Sequence, residues 1–167
     1  VNHSPAQIVR RLLIGLGLGS DVDAGGQPEG EWPVYDNDEP DRPDNTVTLF
    51  DYDGPDEGST QPDGEMQGLD ALQIRVRCKT KIAGWRKAYE IKQAIEKSPL
   101  VGGQAYNVNV GIETTWYKIH CFSRISNVIP LGKETPTSTR KIFVVNCLVD
   151  VIMCCEDEDC QDVGTGS

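Results

Sequence analysis

No stretch of this 167-residue chain is apolar for long enough to span a bilayer, which excludes a membrane-spanning helix as a reading. No signal peptide is expected: Asn2, His3 and Ser4 lead into an amphipathic segment, not a uniformly apolar one. Val1 with no Met before it fits ordinary removal of an initiator Met in a cytosol. Catalytic signatures are missing too. The sequence holds no nucleophile elbow, no paired metal-binding histidines and no P-loop. His120 stands in a strand-like stretch with no recognisable nucleophile or acid motif beside it, and reads as structural. Carboxylates are plentiful but concentrated in loops, where nothing raises a pKa by burial. The expectation is a protein that is not an enzyme and carries no cofactor or metal.

A surplus of positive charge is also lacking. Sixteen Lys and Arg face 26 Asp and Glu, for a net charge of -10. That balance argues against duplex-DNA binding as the main task, because phosphate binding needs a positive footprint. The charge is segregated. Residues 21–70 hold sixteen acids against Arg42 alone, and residues 156–167 add five more acids. Residues 71–155 hold thirteen bases against five acids. The core-forming part is therefore basic, and the acid sits in loops and a tail, where solvation is the plain explanation.

The length suits one domain with a sizeable core. Of six cysteines, Cys78, Cys121 and Cys147 lie in apolar strand patterns, which suits buried free thiols in a reducing compartment. Cys154, Cys155 and Cys160 surround four acids, but no second cluster completes a zinc spacing. Residues 154–167 read as a flexible acidic tail after a single α+β domain spanning 1–153.

The best-patterned stretch is residues 70–97. Leu72, Ile74, Val76 and Cys78 alternate with Gln73, Arg75, Arg77 and Lys79, giving a strand with one buried and one basic face. The period then changes. Ile82, Trp85, Ala88, Ile91 and Ile95, with Tyr89 and Ala94, give the apolar side of a helix lying on a sheet. Arg86, Lys87, Glu90, Gln93, Glu96 and Lys97 take the other side. The spacings Arg86–Glu90 and Lys92–Glu96 suit i,i+4 pairs of about 0.3 kcal/mol each. Ser98-Pro99 ends the helix.

Ahead of that stretch, Ser4-Pro5-Ala6-Gln7 has the form of a capping box, opening a helix with Ile8, Val9, Leu12, Leu13 and Leu16 on its apolar face. Gly15, Gly17 and Gly19 close it. A nucleotide-binding glycine loop would open a helix, so this one is a decoy. Residues 31–35 form a short extended piece that Pro33 confines to an edge. Residues 36–45 resemble a calcium loop only at Asp36 and Asp38; Asp41 replaces its glycine and Val47 its closing Glu. They read as a turn-rich connection. Thr46–Tyr52 is a strand, and residues 53–68 a long mobile loop. A possible short strand lies within 99–111, and a long strand runs from Glu113 to Ile125. Its expected faces are Tyr117, Ile119, Cys121 and Ile125 against Trp116, Lys118, His120, Phe122 and Arg124. Residues 130–140 read as a connector, and Ile142–Met153 as a central strand buried on both sides. The fold class is α+β: a mixed, mostly antiparallel sheet, an N-terminal helix, one amphipathic helix and long acidic loops.

This order resembles the tail terminator and minor capsid proteins of long-tailed bacteriophages. The likeness rests on Pro43 to Asp51, where a Pro-Asp-Asn turn runs into a strand ending in Asp, and on Gln73 to Arg77. It continues through a helix with Ala88-Tyr89-Glu90-Ile91 and a final strand with Phe143 and Asn146. It covers most of residues 4–152; residues 54–68 and the tail after Met153 fall outside it. The resemblance implies a virion protein, assembled in the host bacterial cytoplasm, that forms a hexameric ring on the tail. Such a ring stops tube growth and docks the tail to a neck or connector protein, while DNA passes through without specific binding. A head-to-tail ring needs two different complementary patches per subunit. Arg75, Arg77, Lys79, Arg86 and Lys87 offer a basic one. Asp36, Asp38, Asp41, Asp51 and Asp53 offer an acidic one, unless those acids face the lumen to repel DNA. A neck or head-completion protein is the nearest alternative. A small metal- or ligand-binding module using the acidic loops or the cysteine tail is the alternative from another class.

Overall fold

The capping signature at the N-terminus builds as its residues dictate. In the computed structural model, which describes residues 3–52, 70–97 and 108–153, α1 spans Pro5–Gly15. Only the backbone is described for Glu96, Lys97, Val108, His120, Cys121, Ser123, Ile152 and Met153. The Gln7 N–H donates to Ser4 Oγ (3.3 Å), and Gln7 Oε1 accepts from the Ser4 N–H (2.9 Å). Pro5 takes the first helical position, where its missing N–H costs nothing. At the other end the Gly17 N–H bonds Ile14 O and the Leu18 N–H bonds Leu13 O, with Gly17 at φ 73°. That is a Schellman closure, and it uses glycine because a side chain disfavours positive φ. The three-glycine run thus ends a helix.

Seven strands form one mixed sheet in the order β1–β2–β3–β7–β5–β4, with β6 also on β7. The strands are β1 Val34–Asp36, β2 Thr46–Tyr52, β3 Asp70–Cys78, β4 Val108–Ile112, β5 Thr115–Arg124, β6 Ile129–Lys133 and β7 Lys141–Met153. Among the described strands only the β1–β2 pairing is parallel, and β1 is an edge strand. β7 is central. It pairs with β3 along one side, and with β6 then β5 end to end along the other.

Period-two alternation decides the core. Val47, Leu49, Leu72, Ile74, Val76, Phe143, Val145, Cys147 and Val149 project from one face and join α1 and α2 in a single apolar cluster. Both helices therefore cover the same face. Cys78 and Cys147 are buried free thiols. Burial pushes the Cys147 thiol up to about 12, which leaves it inert as a nucleophile.

Helix α2 spans Lys81–Lys97 and docks on one edge of the broad apolar face its pattern indicates. Ala88, Ile91 and Ile95 are buried as expected, with Gly84 beside them. Ile82, Trp85 and Tyr89 are exposed by 67%, 44% and 41%. The reason is close approach. A methyl group on Gly84 would stand 2.0 Å from Cys78 Sγ and 2.8 Å from Phe143 Cε2, so the helix backbone sits directly on β3 and β7 there. Lys87, expected in solvent, instead donates to Leu18 O (3.0 Å) and lies 5.6 Å from the centre of the Trp32 ring. The i,i+3 pair Lys87–Glu90 forms at 3.0 Å. The end of α2 at Ser98-Pro99 lies outside the described residues.

Two further expectations change. A bulge between Ile119 and Cys121 shifts β5 against β7 by one residue. Phe122 therefore turns into the core, while Ile125 is 53% exposed. Ile129–Lys133 is a strand, β6, not part of a connector: Pro130 pairs opposite Phe143, and Gly132 opposite Ile142.

Candidate interaction site

Among the described residues, the second face of the sheet carries no helix. Its residues form rows across β2, β3 and β7: Thr46–Arg77–Ile142, Thr48–Arg75–Val144, Phe50–Gln73–Asn146 and Tyr52–Ala71–Leu148. The first two rows are covered by the chain itself; in the last two Tyr52 is exposed, Phe50, Gln73, Asn146 and Leu148 are half-buried, and Ala71 is buried.

The covering is electrostatic. Arg77 has 1% of its surface exposed and donates from Nη2 to Pro40 O (2.6 Å) and Pro43 O (2.8 Å). Around it runs an alternating chain of charges: Arg75, Glu39, Arg77, Glu134, Arg140, Asp41. Successive contacts measure 3.4, 3.9, 3.5, 2.8 and 2.8 Å. Cations and carboxylates alternate along this chain, with Asp44 also 3.9 Å from Arg140, and clamp the connection between β1 and β2 and the turn after β6 onto the sheet. Burial raises the Glu39 carboxyl above its ordinary value, against the pull of Arg75 and Arg77. The Arg140 guanidinium hydrogen-bonded to Asp41 lowers that carboxyl. No group of described side chains could hold a metal ion.

The ten charged interface candidates therefore divide. Arg75 and Arg77 meet Glu39, and Asp41 meets Arg140, all inside the subunit. Lys87 is held by Leu18 O and Glu90. Asp36 lies 3.7 Å from Arg10. Asp51 accepts from the Ala6 N–H (2.9 Å) and from Asn37 Nδ2 (2.6 Å). It sits at the positive end of α1, where an anion is favoured. Lys79, Arg86 and Asp38 are exposed. Asp53 lies outside the described residues. Sequence reasoning gave Asp51 no such role. Its signal, an acid ending a strand that abuts a capped helix, is legible only once β2 and α1 are known to be neighbours.

The other end of the face holds a shallow depression of about 220 Å³ lined by Phe50, Tyr52, Gln73 and Asn146. Tyr52 is 42% exposed and also walls an adjoining hollow with Pro5, Asp51, Asp70 and Ala71. Asp70 is raised by burial and by the neighbouring carboxylates of Asp51 and Asp150.

On the opposite face, α2 presents a second surface. Trp85 and Tyr89 stack with centroids 6.5 Å apart and planes 17° from parallel. Trp85 also meets Phe143 edge-on, which anchors the pair to the core. Lys92 Nζ sits 5.2 Å from the centre of the Tyr89 ring. Three large apolar side chains spaced at helical intervals in solvent form a patch of the kind used for contacts.

No protein-family model matches the chain, and no curated protein matches it. Among the described residues no helix is long and apolar enough to cross a membrane.

Proposed function

We propose that this chain is a structural subunit of the tail–neck region of a long-tailed bacteriophage. In this reading it closes into a hexameric ring, ends tail-tube growth and docks the tail to the neck or connector. The observation that carries the reading is the order of elements. A capped helix comes first, then the short edge strand β1, then β2, entered through Pro43-Asp44-Asn45 and running through Asp51 to Tyr52. A basic strand, an amphipathic helix and the antiparallel strands closing on β7 follow. The resemblance rests on that order. The surface supports it physically, because a head-to-tail ring needs two unlike patches on each subunit. The α2 stripe and the depression beside Tyr52 are two such patches. The net charge of -10 suits a ring that passes DNA without holding it.

Light scattering over a concentration series, with negative-stain imaging, tests the proposal. The expected result is a six-membered ring or a concentration-dependent step from monomer to hexamer. A monomer throughout, which also leaves the lengths of polymerising tail tubes unchanged, refutes it.

A further inference from the structure

We propose that bound water lies beneath the connection between β1 and β2, in a seat built from Thr46, Thr48, Arg75, Arg77 and Glu39. The first observation is a set of unmet polar groups. Thr46 Oγ1, Thr48 Oγ1, Arg75 Nε, Arg77 Nε and Glu39 Oε1 are all buried, and none hydrogen-bonds to a described protein group. Thr46 and Thr48 are 0% exposed and Arg77 1%. A buried donor or acceptor left unmade costs more than a typical hydrogen bond gains, so native interiors leave few of them. Five in one place call for a partner from outside the chain.

The second observation is their placement. Thr46 stands opposite Arg77, and Thr48 opposite Arg75, in adjacent rows on the second face of the sheet. Facing side chains in such rows start about 4.5–5.5 Å apart at Cβ, so a small molecule between them meets both. Glu39 spans the two rows: its Oε2 lies 3.4 Å from Arg75 Nε and 3.9 Å from Arg77 Nη1. The nearer contact is an ion pair without hydrogen-bond alignment, so it leaves the Arg75 Nε–H unspent. The five atoms thus belong to two adjacent rows and the one side chain that covers them.

Chemistry selects the occupant. The guanidinium N–H groups only donate, the Glu39 carboxylate only accepts, and a threonine hydroxyl does both. A cation would be repelled by Arg75 and Arg77, and an anion by Glu39. Water is neutral and both donates and accepts. It takes a hydrogen bond from an arginine or a threonine and gives one to Glu39. Buried waters make about three such bonds to groups of this kind. The connection is then held to the sheet through water as well as through its direct ion pairs.

Valine tests this, because it has the shape of threonine without the hydroxyl. A hydroxyl held by water loses a hydrogen bond on replacement. The folding equilibrium constant is expected to fall about fivefold in Thr46→Val, in Thr48→Val or in both, read from urea midpoints at unchanged slope. A hydroxyl with no partner is only a burden, so midpoints unchanged or raised in both variants overturn the proposal. A crystal structure of the wild-type chain grown in sodium bromide answers without any variant. Water density within hydrogen-bond distance of at least two of the five atoms is expected. Anomalous bromide signal there would make the seat an anion site, and no density would make it dry; either result refutes bound water.

Discussion

Replacing Arg77 by Met tests whether the buried charge chain holds the second face of the sheet together. The substitution keeps an unbranched apolar stem of similar reach and removes the guanidinium. Pro40 O and Pro43 O lose their donor, at about 1–3 kcal/mol for each buried acceptor left unmade. Glu39 and Glu134 lose their shared cation but keep Arg75 and Arg140, so the electrostatic loss is partial. Breaking a buried pair by removing one partner typically costs about 3–5 kcal/mol, and the expected loss falls in that range. Domains of this kind are stable by about 5–15 kcal/mol, so the variant should remain folded but unfold at clearly lower urea. Tryptophan fluorescence against urea measures it, and an unchanged slope shows that the same surface is being exposed. Arg77→Lys is expected to recover only part of the loss, because an ammonium cannot fork between the two carbonyls. Arg86→Gln, on the exposed face of α2, is the control and should stay within about 0.5 kcal/mol of wild type. A loss below about 1 kcal/mol in Arg77→Met refutes the reasoning, since it would mean that the carbonyls are satisfied without the guanidinium.

Gly84→Ala gains up to about 1 kcal/mol of helix propensity but forces a methyl onto Cys78 and Phe143, at about 1–3 kcal/mol for overpacking. A lower Tm is expected, and a higher one would mean that α2 can lift from the sheet without loss. Asp51→Ala removes an acceptor from the first turn of α1 and should destabilise by about 1 kcal/mol, read by thermal melts; Asp51→Asn recovers part of it. The pH dependence carries two opposed signs. Burial raises Asp21, but the Val22 N–H and the Arg10 and Arg11 guanidiniums outweigh it, so the folded carboxyl lies below its ordinary 3.8. Its contribution is present above that value and lost as pH falls through the folded one, so Asp21→Asn flattens the acid limb of a stability profile. Glu39 is raised, so its contribution is present below its ordinary 4.5 and lost as pH rises through the folded value. Glu39→Gln should remove that decline, and an unchanged profile would contradict the burial of its carboxyl.

The parts of the fold legible in the chain are those whose signal is local. Ser4, Pro5 and Gln7 settle the start of α1 among themselves, within one helical turn. The alternation from Leu72 to Cys78 identifies both β3 and its buried side, because a period of two has only one other register. The rotation of α2 is different. Ile82, Trp85 and Tyr89 and the row Gly84, Ala88, Ile91 and Ile95 are both valid helical stripes. By pattern alone their apolar residues merge into one broad face, with no sign of which edge meets the sheet. The absence of a side chain at Gly84 selects the second by allowing the backbone onto Cys78 and Phe143. The bulge in β5 is equally silent in sequence, since its register is set by β7 and not by β5 itself.

The candidate surfaces divide on the same line. The clustering of cations around 75–87 and of acids around 36–45 is legible along the chain, because charge is a property of each residue. Which charge faces which was decided only in three dimensions. Residues 39 and 77 are far apart along the chain, and folding places them on one sheet face, where burial makes neutralisation compulsory. That closure consumes the most conspicuous basic residue of the sequence. The surfaces that remain are an aromatic stripe and a shallow depression, each assembled from residues that look unremarkable until the sheet is built.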